Sequence, residues 1–243
     1  MNLPTVEVIF LQGWRESGAR KKALLKEVLE NISGVRVTVV DYLDAPAEWT
    51  YFRSHLTVEE YAARAEKVLQ EIKKENPKAI IVVIGHSLGG IIARYLCQKW
   101  IFPPQNMILV GTPNKGISYK SFGGHLGIII TPIYWVLASR YVCNVPVFYQ
   151  LLKGSSFLEE LNELIPRSCH YISGSKDTRV DKSSSDPHRI GQTVQCDHHL
   201  FKFDGKSIAS LSKHELSELY ETAVPVVVSI VKQISFNETS ELK

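Results

Sequence analysis

Residues 81–95 read IVVIGHSLGGIIARY. An apolar run from Ala79 to Ile84 passes straight into Gly85-His86-Ser87-Leu88-Gly89-Gly90 and then into the pattern of an amphipathic helix. Three glycines stand where a strand meets a helix, with one serine between them. Glycine weakens both kinds of element, so the turn needs an approach that no larger residue permits. The G-x-S-x-G spacing at 85–89 is a modest signal alone. With glycine at about 7% of residues, roughly one unrelated chain in ten of this size carries it by chance. A buried strand before it and a helix after it make it specific. In that setting Ser87 occupies a strained turn that lifts its hydroxyl clear of the sheet. It lies at the N-terminus of a helix predicted over 89–100, where the dipole favours developing negative charge. Side chains at Gly85 or Gly89 would clash, and His86 packs under the turn. The competing reading is a tight turn with a capping serine, which asks nothing of the rest of the chain.

Outward from this turn, short apolar runs alternate with helical patterns. Strands are predicted at 6–11 (VEVIFL), 35–43, 79–84, 106–112, 169–174 and 192–196. Helices are predicted at 17–32, 58–75 and 89–100, with a last one from about His214 to Ile234 interrupted or bent at Pro225. Thr57 and Glu60 form a capping-box pattern at the start of helix 58–75. Apolar strands alternating with helices predict an α/β fold, a mostly parallel sheet with helices on both faces. No repeat or linker divides the chain, so residues 1–243 read as one domain. The stretch 117–152 breaks the rhythm: it is long, apolar and aromatic. Pro132 and Arg140 interrupt it before it reaches the ~20 apolar residues of a membrane span. It reads either as core helices or as a cap over an apolar pocket, an insertion spanning about 117–160.

Composition sets the class. Of 243 residues, 44% are hydrophobic and 22% charged, as in ordinary globular enzymes. The net charge of +3 is dispersed, which argues against a nucleic-acid partner. The N-terminus reads as a first strand rather than a signal peptide. Cys97, Cys143, Cys169 and Cys196 show neither CxxC pairing nor metal-ligand spacing, so buried thiols and an intracellular, cytoplasmic setting are expected. Asp197-His198-His199 lacks a spaced third ligand, and neither metal nor organic cofactor is expected.

A serine hydroxyl is a poor nucleophile until a base, itself oriented by an acid, takes its proton. In a strand-turn-helix setting the acid and then the base follow the serine in the chain. YISGSKDTRV places Asp177 as the first carboxylate beyond a strand end; Asp181 is the alternative, and Asp186 lies further into a serine-rich loop. VQCDHHLFKF offers His198 and His199 as bases, and alternation along the strand does not choose between them. The remaining histidines precede the acid or sit in less suitable places. An oxyanion needs two backbone N–H donors: one from Leu88, the other from Gln12-Gly13-Trp14 after the first strand, with Gly13 or Trp14 as donor.

These residues resemble an α/β-hydrolase of the lipase and esterase kind. VVVIGHSLGGIIAR resembles the superfamily's elbow, ILVGTPNKG its next strand, and KGSSFLEELN a segment of small lipases. ISGSKDTRV is similar to the acid turn. DHHLFKF resembles the Asp-His segment of the GPI inositol-deacylase-like branch, in which the histidine directly after aspartate is the base; that likeness implies His198. A small-lipase Gly-His-Leu pattern would imply His199 instead. The family often carries His-Gly in the first oxyanion loop, where this chain has Gln12-Gly13. The resemblance implies a serine hydrolase working through an acyl-enzyme. Substrate identity does not carry over with the fold; the apolar stretch 117–152 points to carboxylic esters with a lipophilic acyl group, in lipid metabolism. A thioesterase or amidase with the same residues is the enzymatic alternative. A non-catalytic lipid-binding member, or an adaptor touching a membrane surface peripherally through 117–152, is the alternative of another class. The expected partner is a small ester or lipid molecule.

Overall fold

A computed structural model describes residues 6–13, 19–40, 56–99, 101–103, 106–118, 146–198, 200–201, 212–219 and 221–241. Six strands, β1 (Val6–Leu11), β2 (Val35–Val40), β3 (Ile80–His86), β4 (Met107–Val110), β5 (His170–Gly174) and β6 (Gln192–Val194), form one sheet in the order β2-β1-β3-β4-β5-β6. Every neighbouring pair is parallel. The described helices are α1 (Ala19–Glu30), α2 (Val58–Glu75), α3 (Leu88–Gln98), α4 (Pro146–Leu151), α5 (Ser156–Asn162), α6 (Lys182–Ser185), α7 (Lys213–Leu219) and α8 (Val224–Glu241).

The strands are apolar at successive positions because each face of the sheet has its own core. Val8, Phe10, Ile80, Val82, Ile84, Ile108 and Val110 pack on one face with Leu25 and Leu29 of α1 and Val227, Ile230 and Val231 of α8. Ile9, Leu11, Ile81, Val83, Met107 and Leu109 point the other way, onto α2, α3, α4 and α5. Period-2 alternation thus sorts one continuous apolar run into two layers. Each fully buried aliphatic side chain contributes about 1.5–3 kcal/mol, which is why β1 and β3, buried throughout, hold the centre.

Helix α2 spans its predicted range. The Thr57 hydroxyl accepts from Glu60 N–H at 3.3 Å, and the Glu60 carboxylate accepts from Thr57 N–H at 2.7 Å, closing the box the sequence predicts. Its buried residues, Val58, Tyr61, Ala62, Ala65, Leu69 and Ile72, follow one helical stripe.

Two expectations need correction. The last helix is interrupted, but before Pro225 rather than at it: α7 ends at Leu219, α8 starts at Val224, and the break falls on 221–223. Thr222 caps the restart, its hydroxyl oxygen accepting from Val224 N–H at 3.2 Å. Pro225 therefore lies in the first turn of α8, where its missing N–H costs no intrahelical bond. Second, α3 is not amphipathic in its setting. It lies between the sheet and α2, and even Arg94 is 1% exposed. Arg94 donates from one terminal nitrogen to Asn114 Oδ1 (3.2 Å) and from the other to the Leu161 carbonyl (2.7 Å). Burial, opposed by the neighbouring Tyr171, Cys169 and Cys97, pulls its value down to about 10. Cys97, Cys169 and Cys196 are buried thiols; Cys143 lies outside the described residues. Among the described residues, no single helix is long and apolar enough to cross a membrane.

Candidate active site

The carboxyl ends of β3, β4 and β5 converge on Ser87. This residue has φ 52° and ψ −120°, a region that residues with a Cβ rarely enter and that costs of order 1–3 kcal/mol. It holds the N-cap position of α3, yet its side chain makes no capping bond. The hydroxyl instead lies 3.1 Å from His198 Nε2. That removes the reading of Ser87 as a mere cap.

Steric closeness explains the flanking glycines. A Cβ on Gly85 would stand 2.5 Å from the Gly90 Cα, and one on Gly89 only 2.0 Å from the Leu11 carbonyl oxygen and 2.7 Å from that of Gln12. The obstacles are backbone atoms, which cannot swing aside. The same contact shows that the loop after β1 lies against the first turn of α3. Gly89→Ala should therefore destabilise the fold by about 1–3 kcal/mol, read as a lower urea midpoint. An unchanged midpoint would contradict this packing.

Asp177 follows β5, as predicted. Its Oδ1 accepts from the N–H groups of Arg179 and Val180, both at 2.9 Å, and its Oδ2 from His198 Nδ1 at 2.9 Å. The aspartate side chain is 1% exposed and that of the histidine 11%. Burial opposes the charge on Asp177. The hydrogen bond and charge of His198, with the two backbone N–H donors, outweigh it and hold the carboxyl below its ordinary value. Because a carboxylate accepts at Nδ1, the imidazole carries its proton there, leaving the Nε2 lone pair toward Ser87.

The alternatives are placed elsewhere. Asp181 is exposed and begins the short α6. Asp186 is buried and accepts from Ile190 and Gly191 N–H groups, bracing the turn into β6. His199 and Trp14 lie outside the described residues, as do 119–145 of the proposed cap. The two ends of that segment meet, with Ile117 bridging to Leu152. Leu88 is the first residue of α3, so its N–H has no acceptor within the helix. Gly13 is buried at the end of β1, and Gln12 donates from Nε2 to the Val40 carbonyl at 2.9 Å, tying that loop to β2. Among the described residues no group of three or more His, Cys, Asp or Glu is placed to hold a metal ion.

Sequence reasoning missed Gly111. It has φ 54°, and a Cβ there would lie 2.8 Å from Leu200 Cδ1 and under 4 Å from Asp177 Oδ2 and His198 Nδ1. The signal was present in the Gly-Thr-Pro that ends β4, but only the tertiary contact shows what it accommodates.

The palmitoyl protein thioesterase family model matches residues 7–178. The chain belongs to that family. The match in this palmitoyl protein thioesterase family member contains Ser87 and Asp177 and stops before His198, which the fold brings in across the sheet edge. The Asp-His segment that resembles the inositol-deacylase-like branch likewise lies beyond it. No curated protein matches the chain. Among solved structures the family member is similar to alpha/beta hydrolase domain-containing protein 10 from mouse, at 16% identity and TM-score 0.51, covering 96% of this chain and 92% of that one. It is similar to Est1E from Butyrivibrio proteoclasticus, at 14% identity and TM-score 0.52, covering 98% and 90%. It is also similar to the RedJ thioesterase of the prodiginine biosynthetic pathway in Streptomyces coelicolor, at 13% identity and TM-score 0.50, covering 95% and 94%. At such identities these likenesses establish the α/β-hydrolase fold alone.

Proposed function

We propose that this hydrolase cleaves carboxylic esters carrying a lipophilic acyl group, through an acyl-enzyme on Ser87. The observation that carries the reading is the unbroken path from Ser87 Oγ to His198 Nε2 (3.1 Å) and from His198 Nδ1 to Asp177 Oδ2 (2.9 Å). In this reading His198 removes the hydroxyl proton as Ser87 attacks the acyl carbonyl, then delivers it to the leaving alcohol. Asp177 stays ionised, keeps the imidazole in the tautomer that faces Ser87 and stabilises its positive form. Leu88 N–H and a donor from Gly13-Trp14 receive the oxyanion, each worth about 3–4 kcal/mol in the transition state. Water, activated by the same histidine, then releases the acid.

The family match favours a second reading, in which the leaving group is a thiol. A thiolate is a far better leaving group than an alkoxide, so a thioester depends less on proton delivery from His198. Matched series of ethyl esters and S-ethyl thioesters, with acyl chains from acetyl to palmitoyl, separate the two. The ester reading expects kcat/KM for esters to exceed that for thioesters at least tenfold and to rise with chain length. The reverse preference supports the thioesterase. Failure of a fluorophosphonate to label Ser87 in folded protein overturns both and leaves the non-catalytic lipid binder.

A further inference from the structure

His86, the residue between Gly85 and Ser87, takes no part in the chemistry above. Its parity with Ile80, Val82 and Ile84 along β3 turns it to the α1/α8 face of the sheet. There it is 1% exposed, with its ring edge-on to Phe201 at 5.6 Å and tilted against the His198 ring at 5.3 Å. Its Nε2 lies 3.0 Å from the backbone carbonyl of His198. A carbonyl only accepts, so His86 bears its proton on Nε2 and donates it.

We infer that His86 is a positioning residue for the general base, its Nε2–H fixing the backbone of His198 relative to the serine next along β3. The inference rests on the reading of His198 as base. His198 belongs to a loop beyond the short β6, and its imidazole must stay within hydrogen-bond reach of Ser87 and Asp177 at once. Asp177 orients the ring through Nδ1, and the chain on either side is held at Cys196, whose carbonyl accepts from Lys176 N–H at 3.0 Å, and at Leu200, whose carbonyl accepts from Ala223 N–H at 2.8 Å. The His86 bond fixes the carbonyl between those two anchors, and it comes from the residue adjoining the nucleophile itself. Serine and base are thereby referenced to a single strand end, and any shift of β3 carries both. The bond is buried, so water offers the carbonyl no easy substitute.

The His86→Phe variant keeps an aromatic ring against Phe201 and His198 but removes the donor; His86→Gln restores an amide N–H of similar reach. With His86→Phe, kcat for the preferred acyl substrate and the rate of Ser87 phosphonylation by a fluorophosphonate should both fall about 10²-fold, the cost of a misplacement near 1 Å. KM should stay within twofold, and His86→Gln should recover most of the loss. The downfield proton resonance of His198 Nδ1–H, hydrogen-bonded to Asp177, should broaden in His86→Phe and sharpen again in His86→Gln. If His86→Phe does not fold, His86→Met against His86→Gln makes the same comparison. A folded donor-less variant with wild-type kcat, or a glutamine variant no better than phenylalanine, overturns the inference. The resonance reads the geometry without turnover. An inactive wild type whose downfield proton still responds to His86 would refute the hydrolase reading and leave this bond's role standing. An unresponsive proton would refute the positioning role alone.

Discussion

Ser87→Ala is expected to lower kcat by about 10⁶-fold and to abolish fluorophosphonate labelling while the protein stays folded. The hydroxyl makes no capping bond at α3, so its removal takes nothing from the helix. Its hydrogen bond goes to the imidazole of His198. Ser87→Gly separates chemistry from strain. A backbone at φ 52° and ψ −120° is costly for any residue with a Cβ and accessible to glycine. The glycine variant should therefore be equally inactive but melt above Ser87→Ala by about 2–4 °C, the shift that ~1 kcal/mol produces in a chain of this size. Thermal melts of the two variants side by side provide the measurement. A glycine variant that melts lower would mean that the turn stores no strain.

Asp177→Asn should lower kcat about 10⁴-fold. The asparagine Oδ1 can still accept from the Arg179 and Val180 N–H groups, so the turn survives. Its Nδ2 then faces the imidazole as a donor, which drives the ring proton to Nε2 and removes the lone pair that Ser87 requires. The substitution also has a pH signature. The folded value of Asp177 lies below its ordinary one, which is about 3.9 in an unfolded chain. The ionised carboxylate therefore stabilises the fold fully above that unfolded value, and this contribution disappears as pH falls through the lower folded value. Urea titrations of wild type and Asp177→Asn from pH 6 down to pH 3 should show a stability gap that is constant at first and narrows below about pH 4. A gap independent of pH would show that Asp177 gains no charge-dependent support from His198.

Much of this architecture was legible because its causes are local. Period-2 and helical patterns placed all six strands within a few residues. The capping box at Thr57 and Glu60 needs only neighbours, and so does the elbow, whose glycine spacing reflects contacts within one strand-turn-helix unit. Asp177 was readable for the same reason, being the first carboxylate after β5. The interruption or bend expected at Pro225 falls before it instead, because proline disfavours the helix interior but suits a first turn, and which of these it meets depends on where the preceding residues break. The helix after the elbow reads as amphipathic; α3 is instead covered on both sides, which no pattern within α3 announces.

What the chain determined by itself, then, is the order of elements, the two-layered core and the strained serine turn, since each follows from side-chain sterics and periodicity over a few residues. Only the tertiary structure decided that His198 meets Ser87 across 111 positions of sequence, that Gly111 makes room under the Asp177–His198 pair, and that His86 Nε2 lies 3.0 Å from the His198 carbonyl. Those distances depend on how β3, β4 and β5 end beside one another, and parallel pairing of strands far apart in sequence sets them rather than any local preference.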